Sequence, residues 1–271
     1  MGFWQALFTD FDGSLFAMCL AVSIAGGLVI FHAVAAYYHI KYYVRRKDDP
    51  KAWKCQPKRF LRTEQQRDAA LLSSFNLVIG GAISGTIIYA VLKGWQSLLY
   101  FDVAEYGWAY TIASGVLLFV LNDAGAYYVH RALHLPWMYR RIHRHHHRFV
   151  ATTPYVTIAV HPLELVALQA SSLAPIFFIP FHPATIAVVL IYILVFNIID
   201  HSGVDLKSSL PWQGPSLYHD NHHSQFHVNF GQHLMIWDRM HGTLRRKNRK
   251  YGVKVFGGRG AGDGDDGWYP Y

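Results

Sequence analysis

Charge is scarce in this 271-residue chain: Asp, Glu, Lys and Arg make up 15% of it, against roughly a quarter in soluble domains. The shortage is concentrated, because residues 13–40, 69–92 and 165–199 contain none of the four. Runs of that length are what a hydrocarbon core requires, so a water-soluble domain is excluded in favour of a membrane protein. Cysteine is scarce as well. Cys19 sits in an apolar run and Cys55 in a basic one, which excludes a disulfide framework and gives neither a catalytic role. Internal repeats, a Gly-rich phosphate loop, an HExxH pair and a GxSxG elbow are all missing, which removes the commonest nucleotide, zinc-protease and serine-hydrolase chemistries. No cleavable signal peptide is expected either, since the first fourteen residues hold Asp10 and Asp12 and no Lys or Arg.

What remains is apolar or basic. The first span, residues 13–40, ends in His32, Tyr37, Tyr38 and His39, as an interfacial belt does. Residues 45–68 follow with nine Lys/Arg against four acids. The second span, residues 69–92, holds Gly81 and Gly85 four apart, which reads either as a close helix contact or as an ordinary flexible stretch. The third, residues 106–129, carries Asn122 and Asp123 at a depth where an ionisable group points to function. Pro180-Phe181-His182-Pro183 breaks the last apolar run into a helical hairpin, with His182 as a turn residue and not a ligand. The expected fold class is an all-α integral membrane protein with about four transmembrane helices. Two are plain spans, a third leads into the first histidine group, and the hairpin follows, beneath a cytosolic, helical, histidine-rich cap. With the amino terminus outside, the basic segment and every histidine group fall on the cytoplasmic side. That pattern accounts for the net charge of +8 without any nucleic acid partner.

The histidines carry the chemistry. Six lie within residues 130–147, and a second cluster follows at His219, His222 and His223. His130 and His134 are four apart, while His143, His146 and His147 repeat the i, i+3, i+4 spacing of the later cluster, so each set shares a helical face. Three such groups suit a polynuclear transition-metal site, because neutral imidazole binds Fe, Cu, Zn or Ni. Asp123 and Tyr127 step onto the face of His130 and His134, making Asp123 a carboxylate candidate for orienting a ligand ring. His145 points off that face. A transporter would place ligands at the bilayer midplane and show repeats, and a zinc hydrolase needs only three ligands, so both rivals fit less well.

In these residues the chain resembles the fatty acid hydroxylase/sterol desaturase superfamily of membrane di-iron enzymes. Its HxxxH, HxxHH and HxxHH boxes are matched by His130/His134, His143/His146/His147 and His219/His222/His223. Thr153-Pro154, His161-Pro162-Leu163-Glu164, Asp200-His201-Ser202-Gly203, Asn229-Phe230-Gly231, Trp237-Asp238-Arg239 and Gly242-Thr243 extend the likeness over about residues 50–250. Residues 54–61 look most like the sterol C-5 desaturase branch. The resemblance implies His201 as a ninth ligand. Where some lipid hydroxylases have a further histidine this chain has Asn197, leaving it a water-bridging or ring-supporting candidate. Asp220, Asp200, Asp238 and Glu164 are the other carboxylates near the ligands. His241 replaces a usual aromatic residue and is expected not to bind. His227 and His233 line a substrate channel on one reading and pack on another, and the role of His161 stays open.

The resemblance further implies two iron ions, O2 as co-substrate, and hydrogen abstraction from a membrane lipid ending in an alkene or an alcohol. A sterol is the expected substrate. The alternatives are a fatty acyl or sphingolipid hydroxylase or a sterol C-4 methyl oxidase. Neither His-Pro pair continues as HPGG, so electrons must come from a separate donor such as cytochrome b5 or ferredoxin with its reductase. The expected domains are an N-terminal transmembrane helix (1–44), a basic cytosolic segment (45–68), a catalytic domain (69–256) and a flexible tail (257–271). Location is multi-pass: endoplasmic reticulum in a eukaryote, inner membrane in a bacterium.

Overall fold

The computed structural model describes residues 1–208 and 210–245, with the backbone of residues 249–250 and 262–263. Most of the expected tail, 257–271, and part of the basic stretch before it lie outside the described residues. The fold is helical. Among the described residues, strand pairing is limited to two residues on each side, Arg249–Lys250 against Gly262–Asp263, and an isolated bridge between Lys54 and Val204.

A short helix, α1 (Phe3–Phe8), precedes α2 (Gly13–Tyr38), which continues as a π-helical turn to Val44. Asp12 caps α2 by accepting from the N–H groups of Ser14 and Leu15. The next long helices are α3 (Thr63–Leu92) and α4 (Gly107–Leu133). The hairpin consists of α7 (Pro162–Leu173) and α8 (Pro183–Asp200). Both begin the same way: the Nδ1 of His161 or His182 accepts from the N–H two residues on, with Pro at the first helical position. His182 is thus a cap in the turn, as expected. The hairpin is unequal. Gly13–Val44, Thr63–Leu92, Gly107–Leu133 and Pro183–Asp200 are long and apolar enough to cross a membrane, whereas α7 with its 3-10 extension, Pro162–Phe177, is shorter.

Gly81 and Gly85 decide how α2 and α3 meet. A Cβ on Gly81 would stand 2.7 Å from the Cα of Ile24, and one on Gly85 2.9 Å from that of Leu20. The close-contact reading holds, because only glycine leaves room for the facing backbone. The two ends of the bundle differ. At one, α1 packs on Trp95 and Tyr89, Lys93 bonds to the Asp10 carbonyl, and Tyr100 N–H to Phe181 O. At the other, α4 and α8 deliver their last residues to the polar cap. Short helices α5 (Pro136–Met138) and α6 (Arg144–His147) flank a π-turn, Tyr139–His143. Helices α9 (Ser216–Gln225) and α10 (Ile236–His241) complete the cap.

Candidate metal centre

Nine imidazoles meet inside the cap, and none is more than 4% exposed. They form two groups. His130, His134, His143, His147 and His222 make one, and His146, His201, His219 and His223 the other, with the ligand atoms of each group within 4.8 Å of one another. The spacing explains the division. Residues four apart differ by about 40° around a helix, whereas the third position swings about 60° the other way. The i, i+4 pairs His130/His134, His143/His147 and His219/His223 therefore each stay in one group. The intermediate members, His146 and His222, cross to the other. Each HxxHH box straddles both positions.

Ring orientation is fixed from outside the cluster. The Nδ1–H of His130 donates to the Phe230 carbonyl at 2.8 Å, that of His222 to Val228 at 2.6 Å, and that of His201 to Asn197 at 2.8 Å. His143 Nδ1 lies 2.8 Å from Glu164 Oε1. A neutral imidazole holds one proton, so these four Nε2 atoms carry only lone pairs. They nevertheless face other nitrogens: His130 and His143 Nε2 are 3.1 Å apart, His222 and His147 3.0 Å, and His201 and His219 2.9 Å. In the His130–His143 pair both nitrogens are then bare, and opposed lone pairs repel unless a cation sits between them. Cis ligands at about 2.1 Å from an ion are themselves about 3 Å apart. The donor set thus fits metal ions. Burial also keeps the rings unprotonated, pushing His143 down to about 3 and His201 to about 4, and His134, His146, His147, His219, His222 and His223 well below the usual imidazole value.

The remaining candidates are placed as follows. Asp123 departs from its expected role: its carboxylate accepts from the N–H groups of His233 and Leu234 and from Trp237 Nε1, so it ties the carboxy-terminal segment to α4. Its face of α4 also meets residues 233–237, which take up the carboxylate. Glu164 orients a ligand ring instead. Asp220 accepts from Gln56 Nε2 and Thr152 Oγ1, joining α9 to the basic segment, and burial lifts it to about 6 against the pull of Lys54. Asn197 supports His201 through its backbone carbonyl, while its Oδ1 is buried without a partner. His145 is half-buried against His161, outside both groups. His241 bonds to the Tyr128 hydroxyl, and His227 Nδ1 lies 3.1 Å from His134 Nδ1. Asp238 holds the loop that presents Phe230, accepting from Tyr218 Oη, from the N–H groups of Phe230 and Gly231, and from Thr243 Oγ1. The carbonyl partners were not foreseen, since a backbone acceptor leaves no mark in a sequence.

This arrangement coincides with a known family. The family described as Fatty acid hydroxylase matches residues 115–243, a span holding all nine histidines. The chain is 30% identical over 169 residues to the Delta(7)-sterol 5(6)-desaturase erg3B of Aspergillus fumigatus, covering 62% of this chain and 50% of that one. It is 28% identical over 221 residues to a probable Delta(7)-sterol 5(6)-desaturase of Neurospora crassa, covering 81% and 61%. With the lathosterol oxidase of Mus musculus it shares 30% over 158 residues, covering 57% and 52%. The chain therefore spans about half the length of the curated relatives it matches. No solved structure matches it. The relatives' names make this a likeness to sterol C-5 desaturases.

Proposed function

We propose that this protein is a membrane-bound di-iron oxidoreductase that uses O2 to desaturate a sterol ring. The division of nine buried imidazoles into groups of five and four, with Nε2 atoms facing one another about 3 Å apart in both, carries that reading; the relatives' names supply the sterol. His130, His134, His143, His147 and His222 would hold one iron, and His146, His201, His219 and His223 the other. Bound iron and O2 supply the abstraction of hydrogen from an unactivated C–H bond, which no side chain performs. The chain's own residues do the rest. Phe230, Val228 and Asn197 carbonyls and the Glu164 carboxylate hold each ring proton at Nδ1 and each lone pair inward. Near-complete burial excludes water from the centre. Burial lifts the Glu164 carboxyl to about 8, so a bound cation would be what holds it ionised, and it would then bring a compensating negative charge to an otherwise neutral ligand set.

The His groups face the cytosol in this reading. Support comes from the basic segment, packed against the cap through Gln56 and Asp220, while Lys93 stands at the opposite end. Electrons come from a separate donor protein, which the exposed arginines Arg141, Arg144 and Arg148 at the cap surface suit by charge. The deciding experiment is lipid analysis of a host blocked in sterol C-5 desaturation, with and without this gene, in air and without O2. A 5,6-unsaturated sterol made only in air is expected. New hydroxylated acyl chains with unchanged sterols would overturn the sterol substrate, and a yield independent of O2 would overturn the chemistry.

A further inference from the structure

The stretch before α3 reads as a solvated basic run, yet Trp53, Lys54 and Gln56 are buried in the cap. Residues 53–55 enter it extended. Cys55 N–H donates to the Gly203 carbonyl at 3.0 Å and Asp205 N–H to that of Trp53 at 2.7 Å, around the bridge between Lys54 and Val204. Gly203 permits the approach. It holds φ +69°, and a Cβ there would collide with the Thr152 carbonyl oxygen and Tyr43 Oη. Side chains reach two further segments. Gln56 Nε2 donates to the Val150 carbonyl at 2.8 Å and to Asp220 Oδ2 at 3.1 Å. Tyr43 Oη lies 2.9 Å from the Thr152 carbonyl oxygen and 2.8 Å from that of Ser202, and it accepts from Lys54 Nζ at 3.2 Å. The Lys54 ammonium also sits 5.0 Å from the Tyr43 ring centre and attracts the Asp220 carboxylate.

The segments tied in this way are the ones that supply the four-histidine group. Val150 and Thr152 follow His146, residues 202–205 follow His201, and Asp220 lies between His219 and His223. The five-histidine group is built differently. It takes His130 and His134 from α4, which none of these bonds reaches, and its rings at 130, 143 and 222 have their own Nδ1 acceptors. In the four-histidine group the Nδ1 atoms of His219 and His223 have no hydrogen-bond partner among the described residues. Those two rings are placed by the backbone that carries them, so whatever holds that backbone holds the site. Every tie comes from outside residues 115–243, the span of the family match.

We infer that Tyr43 and residues 53–56 form a clasp that sets the metal affinity of the four-histidine site, with Lys54 and Gln56 as its positioning residues. The clasp rests on the two-metal reading above and deepens it, because the two sites then depend unequally on one segment. With the clasp open, α9 and the loop after His201 are free to part, which carries His219 and His223 away from His146 and His201. His130, His134, His143 and His147 keep their places, held by α4 and Glu164.

The test is anaerobic calorimetric titration of the metal-stripped full chain with Fe(II) alone, one site at a time. His134→Ala removes a ligand of the five-histidine site and leaves the other to be read, and His223→Ala does the reverse. Gln56→Met should weaken Fe(II) binding about tenfold in the His134→Ala background, the lower end of what loss of a supporting contact costs a metal site. In the His223→Ala background it should change nothing. Lys54→Met should behave in the same way, and Lys54→Arg, which keeps the charge, should recover most of the loss; this pair carries the test if Gln56→Met does not fold. Lys51→Met, exposed in the same segment, should be silent in both backgrounds. Equal weakening in the two backgrounds would reduce the clasp to general support of the cap and overturn the inference, as would no weakening in either. A parent chain that takes up fewer than two Fe(II) ions would instead overturn the di-iron reading, and the clasp with it.

Discussion

Three of the nine rings are oriented by backbone carbonyls and one by a carboxylate, and this difference governs what single substitutions do. Removing a ligand deletes a bond to the metal outright. His147→Ala and His222→Ala should abolish turnover and lower bound iron, measured by plasma emission on the purified protein. His145→Ala, two residues from His147 and outside both groups, should leave iron content within error of the parent. Equal iron loss from His145→Ala and His146→Ala would overturn the division by helical spacing. Glu164→Ala leaves every ligand in place but frees the His143 ring, so iron affinity should fall about 10–100-fold in a chelator competition. Glu164→Gln retains an acceptor oxygen and should recover most of that loss. Asn229 acts one step further out. It holds φ +55°, donates its side-chain amide to the Tyr218 carbonyl and accepts from Arg245 N–H, and so sets the turn that presents Phe230. Asparagine tolerates the left-handed region better than other non-glycine residues, which is the physical content of the Asn229-Phe230-Gly231 signature.

At the scale of elements, charge-free or nearly charge-free length located all four long helices, the third despite Asp123, and the proline pair located the hairpin turn. Such signals are legible because they come from solvent, not from neighbours. The unequal arms were not: α7 is the shorter and more polar, with Glu164 and Gln169, yet it sits in the same apolar run as α8, and a run marks no boundary within itself. The π-turn at Tyr139–His143 and the contact of Asp123 with residues 233–237 were illegible for the opposite reason: both depend on distant segments. The Gly81/Gly85 pair lay between these cases, readable as a close contact but not as a contact with a named partner. The structure supplies that partner, so the contact is testable. Gly81→Ala forces a methyl to within 2.7 Å of the Ile24 Cα and should cost about 1–3 kcal/mol of stability. Gly26, where an added Cβ meets nothing within 4 Å, provides the control: Gly26→Ala should hold or slightly raise the melting temperature in the same detergent.

Taken as a whole, the molecule is polarised along the bundle, and orientation in the membrane follows from that polarity. Lys93 is the single Lys or Arg between residues 69 and 130, and it stands at the end that also carries α1 and the turn before α8. Nine Lys/Arg of residues 45–68 gather at the other end, where Lys54 is buried beside Tyr43 and Gln56 reaches Asp220. In the proposed reading the positive-inside bias would send the histidine cap to the cytosol, which is also where a soluble or peripheral electron donor could reach it. Single cysteines test this after Cys19 and Cys55 are replaced. Gln96→Cys reports the Lys93 end and Arg59→Cys the cap end, and both positions are exposed, so neither should disturb folding. In intact, right-side-out vesicles a membrane-impermeant maleimide should label Gln96→Cys and spare Arg59→Cys, and opening the vesicles should make Arg59→Cys reactive. Labelling of both from one side would break the four-span topology, because an odd number of crossings separates residue 59 from residue 96. Labelling of Arg59→Cys alone would keep the topology but invert the molecule, placing the cap on the face away from cytosolic reductants.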